Sequence, residues 1–171
     1  SDGFIGKELC KVLLKNKIKV LPINRKKIDF KYKKSINKLS KVLRTEDTVV
    51  FIAGVVPVKN LIMLEENLEI CFNITKSLIK KEIEHLIYIS SDAVYEDTKN
   101  LISENSITNP DNLHGLMHYF RESILKQHFK KKLCIIRPTL IYGLNDTHSG
   151  YGPNLFYKLA NKNKSIKLFG K

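Results

Sequence analysis

Short and long apolar segments alternate along the chain and predict an alternation of strands and helices. Short apolar runs predict strands at Ile18–Ile23, Thr48–Ala53, Leu86–Ser91 and Leu133–Arg137. Stretches with apolar residues at helical spacing predict helices at Lys7–Leu14, Ile36–Leu43, Leu61–Lys80, Asp111–Phe129 and Leu155–Asn161. This order predicts an α/β fold: a doubly wound parallel sheet with helices on both faces, joined by right-handed crossovers.

A glycine-rich turn opens the chain and leads into the first predicted helix. Gly3 and Gly6 enclose Phe4 and Ile5, and this spacing is the second half of a dinucleotide-binding loop. The full loop also needs a strand and a glycine before Ser1. We therefore expect a Rossmann-like sheet that is incomplete at both ends. Residues 1–171 would form one truncated NAD(P)-binding domain, with the C-terminal substrate-binding part mostly absent. An ordinary tight turn is the alternative interpretation.

Arg25 lies about 20 residues after this turn, where the second strand should end. Enzymes that select NAD place an acidic residue there to bind the ribose 2′-hydroxyl, whereas an arginine accommodates a 2′-phosphate. Arg25 therefore favours NADP over NAD as the cofactor. The alternative is a surface arginine in a basic loop.

The net charge of +13 raises the question of nucleic-acid binding. The excess is mostly lysine, spread over the whole chain rather than gathered beside exposed aromatics, which favours a solvated surface over an RNA site. No apolar run is long enough to span a bilayer, so we expect no membrane partner. Three widely spaced cysteines favour reduced thiols in a cytoplasmic protein.

Five segments in order resemble the extended short-chain dehydrogenases, the family of NAD-dependent epimerases and dehydratases acting on nucleotide sugars. They are Gly3–Gly6, Val50–Gly54, Glu66–Leu68, Ile89–Tyr95 and Arg137–Gly143. The resemblance implies that Ser91 is the catalytic serine that hydrogen-bonds the substrate oxygen, and that the family's homodimer is a candidate assembly. It also implies a set of cofactor-binding residues: Gly3, Phe4, Ile5, Gly6, Ala53, Gly54, Asn67, Ser90, Pro138 and Thr139.

The chain departs from the family's Tyr-x-x-x-Lys motif, because His114 and His118 replace both catalytic residues. The tyrosine exchanges the hydroxyl proton, and the lysine lowers its pKa and binds the nicotinamide ribose. Imidazole titrates near neutrality, so His114 could act as general base, while His118 could hydrogen-bond the ribose. A zinc pair is disfavoured because no third ligand is evident, so we predict no metal. Two surface histidines in a member that has lost its chemistry are a further alternative.

The leading hypothesis is an NAD(P)-dependent enzyme that transfers hydride to or from a nucleotide sugar or a related carbonyl or hydroxyl compound. Epimerase, dehydratase and reductase remain open. Asp92 and Asn154 are candidate substrate contacts, with loop polarity and a helix cap as the alternative. The second hypothesis is a catalytically inactive NADP-binding regulatory or scaffold protein, motivated by the loss of the tyrosine and lysine.

Overall fold

A three-stranded parallel sheet lies at the centre of the computed structural model, which describes residues 1–98, 100–143, 145–146 and 152–168. The strands are β1 (Thr48–Phe51), β2 (His85–Ile89) and β3 (Leu133–Ile136), in the order β1-β2-β3. Thr48 is in register with His85, and Leu86 with Leu133. All three strands run in one direction, so their carboxyl ends meet at one edge of the sheet, where ligands bind in folds of this class.

Five helices connect and cover the strands within the described residues. They are α1 (Phe4–Lys15), α2 (Lys34–Val42), α3 (Leu61–Lys81), α4 (Leu113–Phe129) and α5 (Gly152–Ala160). Asparagines begin the two longest ones: the side chain of Asn60 accepts a hydrogen bond from Met63 N, and that of Asn112 accepts one from Gly115 N. The predicted α/β alternation is confirmed, with the helices starting within a few residues of their expected positions.

The core forms where α3 and α4 pack on β1 and β2. Leu86 and Tyr88 of β2 and Leu78 of α3 are fully buried there, and Leu125 of α4 packs into the same cluster. Continuous apolar strands are expected in a parallel sheet, because helices cover its faces. Within the described residues, no helix is both long and apolar enough to cross a bilayer.

The predicted strand at Ile18–Ile23 is wrong, because this segment belongs to no sheet in the described part of the chain. A strand persists only when a neighbouring strand satisfies its backbone hydrogen bonds. The nitrogen of Ser1 donates to the Ile23 carbonyl over 2.8 Å, but no ladder continues from this contact among the described residues. Apolar composition alone therefore did not produce a strand here.

Candidate functional site

Gly115 sets the position of α4 against the turn that follows β2. A Cβ at this position would lie only 1.9 Å from the carbonyl oxygen of Ala93. Any other residue would therefore push the helix away from the turn. This close approach brings His114, the residue before Gly115, beside the Ser91–Ala93 segment.

Ser91 lies at the carboxyl end of β2 and begins this turn. Its Oγ accepts a hydrogen bond from Ala93 N and donates one to Asp92 Oδ1, both over 3.1 Å. The Asp92 nitrogen donates to the carbonyl of Pro138 over 3.1 Å, which joins the turn to the segment after β3. Ser91 and Asp92 are half-buried, so both side chains retain access to the sheet edge. Thr139, next to Pro138, is exposed.

His118 points into the core and not toward the surface. Its Nδ1 lies 2.7 Å from the hydroxyl of Tyr88, and only 7% of the residue is exposed. Burial, with smaller contributions from His114 and Arg121, lowers the pKa of His118 to about 3, while burial raises the pKa of Tyr88. Both groups are thus neutral near pH 7. The Tyr88 hydroxyl and His118 Nδ1 thus share one hydrogen bond between two neutral groups.

His114 packs edge-on against His118, with ring centroids 4.8 Å apart. Its Nδ1 is buried and has no hydrogen-bond partner among the described residues. Burial lowers the pKa of His114, the negative charge of Asp92 opposes this shift, and the charge of Arg121 adds to it. His114 is therefore a neutral, half-buried imidazole at physiological pH, able to accept a proton.

Asn67 and Arg121 brace the turn that follows β1. The Asn67 side chain accepts from Val55 N over 3.1 Å and donates to Val55 O over 2.9 Å. Arg121 donates to the Ala53 carbonyl over 3.0 Å and to Asn67 Oδ1 over 2.8 Å. Gly54, at the centre of the turn, is exposed, and a Cβ there would lie 3.1 Å from Asn67 Oδ1. Sequence reasoning assigned no role to Arg121; its place on the buried face of α4 is the only signal the sequence offered.

Ser90 turns its hydroxyl into a buried ionic cluster centred on Glu122. Its Oγ donates to Glu122 Oε1 over 2.7 Å, and Arg137 donates to both oxygens of the same carboxylate over 2.8 and 2.6 Å. Burial alone would raise the pKa of Glu122, but the hydrogen bonds from Arg137 and Ser90 outweigh it and lower the pKa. Arg137 also donates to Tyr95 Oη over 2.7 Å. The cluster fixes α4 relative to the ends of β2 and β3.

The glycine turn at the start of the chain is compact and leaves the N-terminus of α1 without a side-chain cap. Gly3 is extended, and a Cβ there would meet no atom within 4 Å. Gly6 is buried, and its Cβ would lie 3.0 Å from Ser1 Cα. The Phe4 ring packs against Gly143, which follows β3, and Ile5 is half-buried. The turn thus lies beside Gly143, in the segment that follows β3.

Two predicted site residues lie in more peripheral positions. Arg25 is exposed, and its Nε donates to Asp29 Oδ2 over 3.3 Å. Asn154, in α5, donates to the Gly143 carbonyl over 2.8 Å and to Asp146 Oδ2 over 3.2 Å. The structure therefore groups Ser91, Asp92 and the two histidines, and gives Arg25 no contact with them. Among the described residues, no three His, Cys, Asp or Glu side chains are arranged to hold a metal ion.

Comparison with known proteins gives one curated relative and many similar folds. Over 132 residues the chain is 30% identical to N-acetyl-alpha-D-glucosaminyl-diphospho-ditrans,octacis-undecaprenol 4-epimerase of Escherichia coli O157:H7, a match covering 71% of the chain and 39% of the relative. The match thus covers well under half of that relative's length.

Two crystal structures show the same fold at low identity. UDP-glucuronic acid 4-epimerase from Bacillus cereus, in complex with NAD, is 21% identical with a TM-score of 0.79. The match covers 98% of this chain and 63% of that one. The dTDP-4-dehydrorhamnose reductase from Bacillus anthracis, in complex with NADP, is 19% identical with a TM-score of 0.79, covering 94% and 57%.

The remaining comparison is a match to a family profile. This match extends over residues 1–171 and is described as the NAD dependent epimerase/dehydratase family. The chain belongs to the NAD dependent epimerase/dehydratase family.

Proposed function

We propose that the protein transfers hydride between a nicotinamide cofactor and a carbon of a nucleotide sugar, as an epimerase, dehydratase or reductase. The observation that carries this proposal is the close contact at Gly115, which holds the His114 end of α4 against the Ser91 turn. A hydroxyl and a neutral imidazole are thereby held at the carboxyl edge of a parallel sheet. This pair can orient a substrate oxygen and accept its proton.

The residues near this edge fit a dinucleotide. The N-terminus of α1 has no side-chain cap and no acidic residue in its first turn, so its amides remain available to a diphosphate. Gly3 leaves open space, and Gly54 is exposed at the turn after β1. When bound, the nicotinamide would supply the hydride acceptor or donor. Gly3, Phe4, Ile5 and Gly6 would hold the phosphate end.

Ser91 would orient the substrate oxygen, and His114 would exchange the proton of that oxygen. The Ser91 hydroxyl already makes two hydrogen bonds within its turn, and these fix its orientation at the end of β2. His114 is unprotonated at neutral pH because burial lowers its pKa, so it can accept the hydroxyl proton as the substrate carbon loses hydride. In the reverse direction the imidazolium would return that proton. Pro138 and Thr139 lie beside this turn and would border the nicotinamide.

A nucleotide sugar is the proposed substrate because several similar crystal structures are named for one, although the curated relative is named for a sugar linked to undecaprenyl diphosphate. Two of them are the UDP-glucuronic acid 4-epimerase and the dTDP-4-dehydrorhamnose reductase. Asp92 and Asn154 are the side chains that we propose to contact the sugar. Among the described residues, the Asp92 carboxylate accepts a side-chain hydrogen bond only at Oδ1, so Oδ2 is open beside Ser91.

The direct test replaces His114 in the full-length protein and measures turnover of UDP- and dTDP-sugars with NAD and NADP. We expect His114→Ala to lower kcat by about 100-fold or more, the usual contribution of a general base, while cofactor binding persists. His128→Ala, at the exposed end of the same helix, is the matched control. An undiminished rate in His114→Ala would eliminate the proposed role of His114.

We also propose that Arg25 selects NADP over NAD. Arg25→Asp should weaken NADP binding relative to NAD by about tenfold or more, the loss expected when one charge-assisted hydrogen bond is removed. Arg44→Asp changes another exposed arginine and serves as control. Equal dissociation constants for the two cofactors in the unaltered protein would refute this selectivity.

A second candidate function is a non-catalytic NADP-binding regulatory or scaffold protein. The inward orientation of His118 favours it, because the hydrogen bond to Tyr88 withholds Nδ1 from any ligand. Tight cofactor binding with no turnover of any sugar nucleotide, in both the unaltered protein and His114→Tyr/His118→Lys, would support it. If the double variant turns over a sugar nucleotide and the unaltered protein does not, the protein has kept its cofactor and substrate site but lacks a working general base.

A further inference from the structure

A basic surface forms where α2 packs against the C-terminal end of α3. Lysines occur along the whole chain, but they are densest in residues 25–42, which hold eight Lys or Arg and one acidic residue. The buried face of α2 contributes Leu39 to the core, and α2 itself contains no acidic residue. Its solvent face carries three exposed lysines at helical spacing: Lys34, Lys38 and Lys41.

A cavity and a groove adjoin this basic surface, and both are lined in part by Lys41. The cavity, of about 410 Å³, lies between α2 and α3, where Lys80 Nζ donates to Asn37 Oδ1 over 3.0 Å. Lys81 also lines it. The groove, of about 360 Å³, is lined mainly by apolar side chains of the Leu21–Ile23 segment and of α2. A cationic cavity thus lies next to an apolar groove.

The lysines of the cavity and the groove are not neutralised by acidic side chains. Glu82 and Glu84, which follow α3, line neither of the two. Within the described part of the chain, no ion pair involves the lysines that do line them, which are Lys27, Lys38, Lys41, Lys80 and Lys81. The basic surface therefore keeps its positive charge and attracts anions.

Exposed apolar side chains border the same lysines. Leu21 is 55% exposed and Val42 is 46% exposed, and both line the apolar groove. Anionic bilayers bind proteins through this combination, because lysines attract the headgroup phosphates while apolar side chains enter the boundary with the acyl chains. The pairing of charge with exposed apolar groups therefore favours a membrane surface as the partner.

The basic surface is less suited to a nucleic acid. The arginine of this segment, Arg25, is bonded to Asp29. Tyr32 is exposed, but Lys34 Nζ lies 5.3 Å from the centre of its ring, so one face on which a base could stack already carries a cation. Proteins that bind single strands rely on free aromatic faces and on arginine. A bilayer is therefore the partner that these residues favour.

We propose that the basic surface docks the protein on an anionic membrane, with the lysines contacting headgroup phosphates and Leu21 and Val42 entering the interface. Docking of this kind needs no spanning helix, so the expectation of no membrane partner, which rested on the length of apolar runs, does not extend to it. The inference goes beyond the proposed function, because it involves no residue of the candidate site and no step of hydride transfer.

The experiment is cosedimentation of the full-length protein with vesicles made of equal parts phosphatidylglycerol and phosphatidylcholine, and with vesicles of phosphatidylcholine alone. We expect binding to the anionic vesicles only, and a steep loss of binding as salt is raised. A lysine near an anionic bilayer contributes about fivefold in affinity, so removal of three should weaken binding by about 100-fold. The variant that tests this is Lys34→Gln/Lys38→Gln/Lys41→Gln.

The matched control removes the same charge from exposed lysines at and after α5: Lys158→Gln/Lys162→Gln/Lys164→Gln. We expect it to bind the anionic vesicles nearly as well as the unaltered protein. Leu21→Ser/Val42→Ser should weaken binding by about tenfold, because two apolar side chains no longer enter the interface. Unchanged binding in that variant would refute the role of the apolar residues.

No binding to anionic vesicles, or equal weakening in the two triple lysine variants, would overturn the proposal. Binding of an oligouridine probe that is lost in the α2 lysine variant, without vesicle binding, would assign the basic surface to RNA and would also overturn it. None of these results would bear on turnover of sugar nucleotides, so the failure of this proposal is distinguishable from the failure of the proposed function.

Discussion

The buried His118 should make the stability of the protein strongly dependent on acidic pH. In the folded state burial lowers its pKa to about 3, whereas an unfolded histidine titrates near 6.5. Below pH 6.5 the His118 side chain binds a proton in the unfolded chain but not in the folded protein. The free energy of unfolding therefore falls as pH falls from about 6.5 toward 3. Above pH 6.5 this contribution is complete and constant.

The magnitude follows from these two values. One pKa unit corresponds to about 1.4 kcal/mol, so His118 alone should remove about 2 kcal/mol of stability between pH 7 and pH 5. Stabilities of whole domains are about 5–15 kcal/mol, so the loss is a large fraction of the total. Almost all of the residue is buried, so solvent screening does not reduce this figure appreciably.

The assay is urea unfolding of the full-length protein at pH 7 and pH 5, compared with His118→Asn. The asparagine amide can still hydrogen-bond to the Tyr88 hydroxyl, but the residue does not titrate, so the difference between the two proteins isolates His118. His128→Asn, at the exposed end of α4, should behave like the unaltered protein. The reasoning is refuted if His118→Asn loses as much stability between the two pH values as the unaltered protein does.

Two further predictions concern the packing and charge that position α4. Gly115→Ala should lower the free energy of unfolding by about 3 kcal/mol, because its Cβ would overlap a backbone carbonyl that cannot rotate away. The control is Gly152→Ala, where a Cβ meets nothing within 4 Å. Equal effects of the two substitutions in urea unfolding would contradict the argument. Glu122→Gln should lower the free energy of unfolding by about 3 kcal/mol, because it leaves the half-buried Arg137 without its ionic partner. Glu8→Gln breaks an exposed pair and should leave Tm unchanged; a similar Tm in both variants would show that the Glu122 cluster contributes little.

The helices and most strands could be predicted because their pattern is local. Apolar spacing over Leu61–Lys80 and Asp111–Phe129 matches one helical face and predicted both helices. The structure adds the asparagine caps at Asn60 and Asn112, which the sequence analysis did not identify. The serine turn after β2 could be found for the same reason, since its residues are consecutive. The four-residue spacing of the histidines placed both on one side of α4, and their rings do meet.

Other features depended on partners distant in the chain. Ile18–Ile23 has the apolar residues of a strand but no strand beside it in the described part of the chain. The hydroxyl of Ser90 was open to a cofactor role on sequence grounds, yet it donates to Glu122, 32 residues away. Whether the segment forms a strand, and what the serine hydroxyl binds, depends on which hydrogen-bond partners the fold places within reach.

The sequence by itself determined the α/β alternation, the glycine turn and the serine and histidine positions, because each depends on residues that are close together along the chain. Only the tertiary structure decided that His118 faces Tyr88, that Ala93 leaves room for nothing larger than Gly115, and that Arg121 hydrogen-bonds to the Ala53 carbonyl. Burial and electrostatic balance depend on the groups surrounding a side chain on all sides. Those groups come from segments brought together by folding, and no local pattern specifies them.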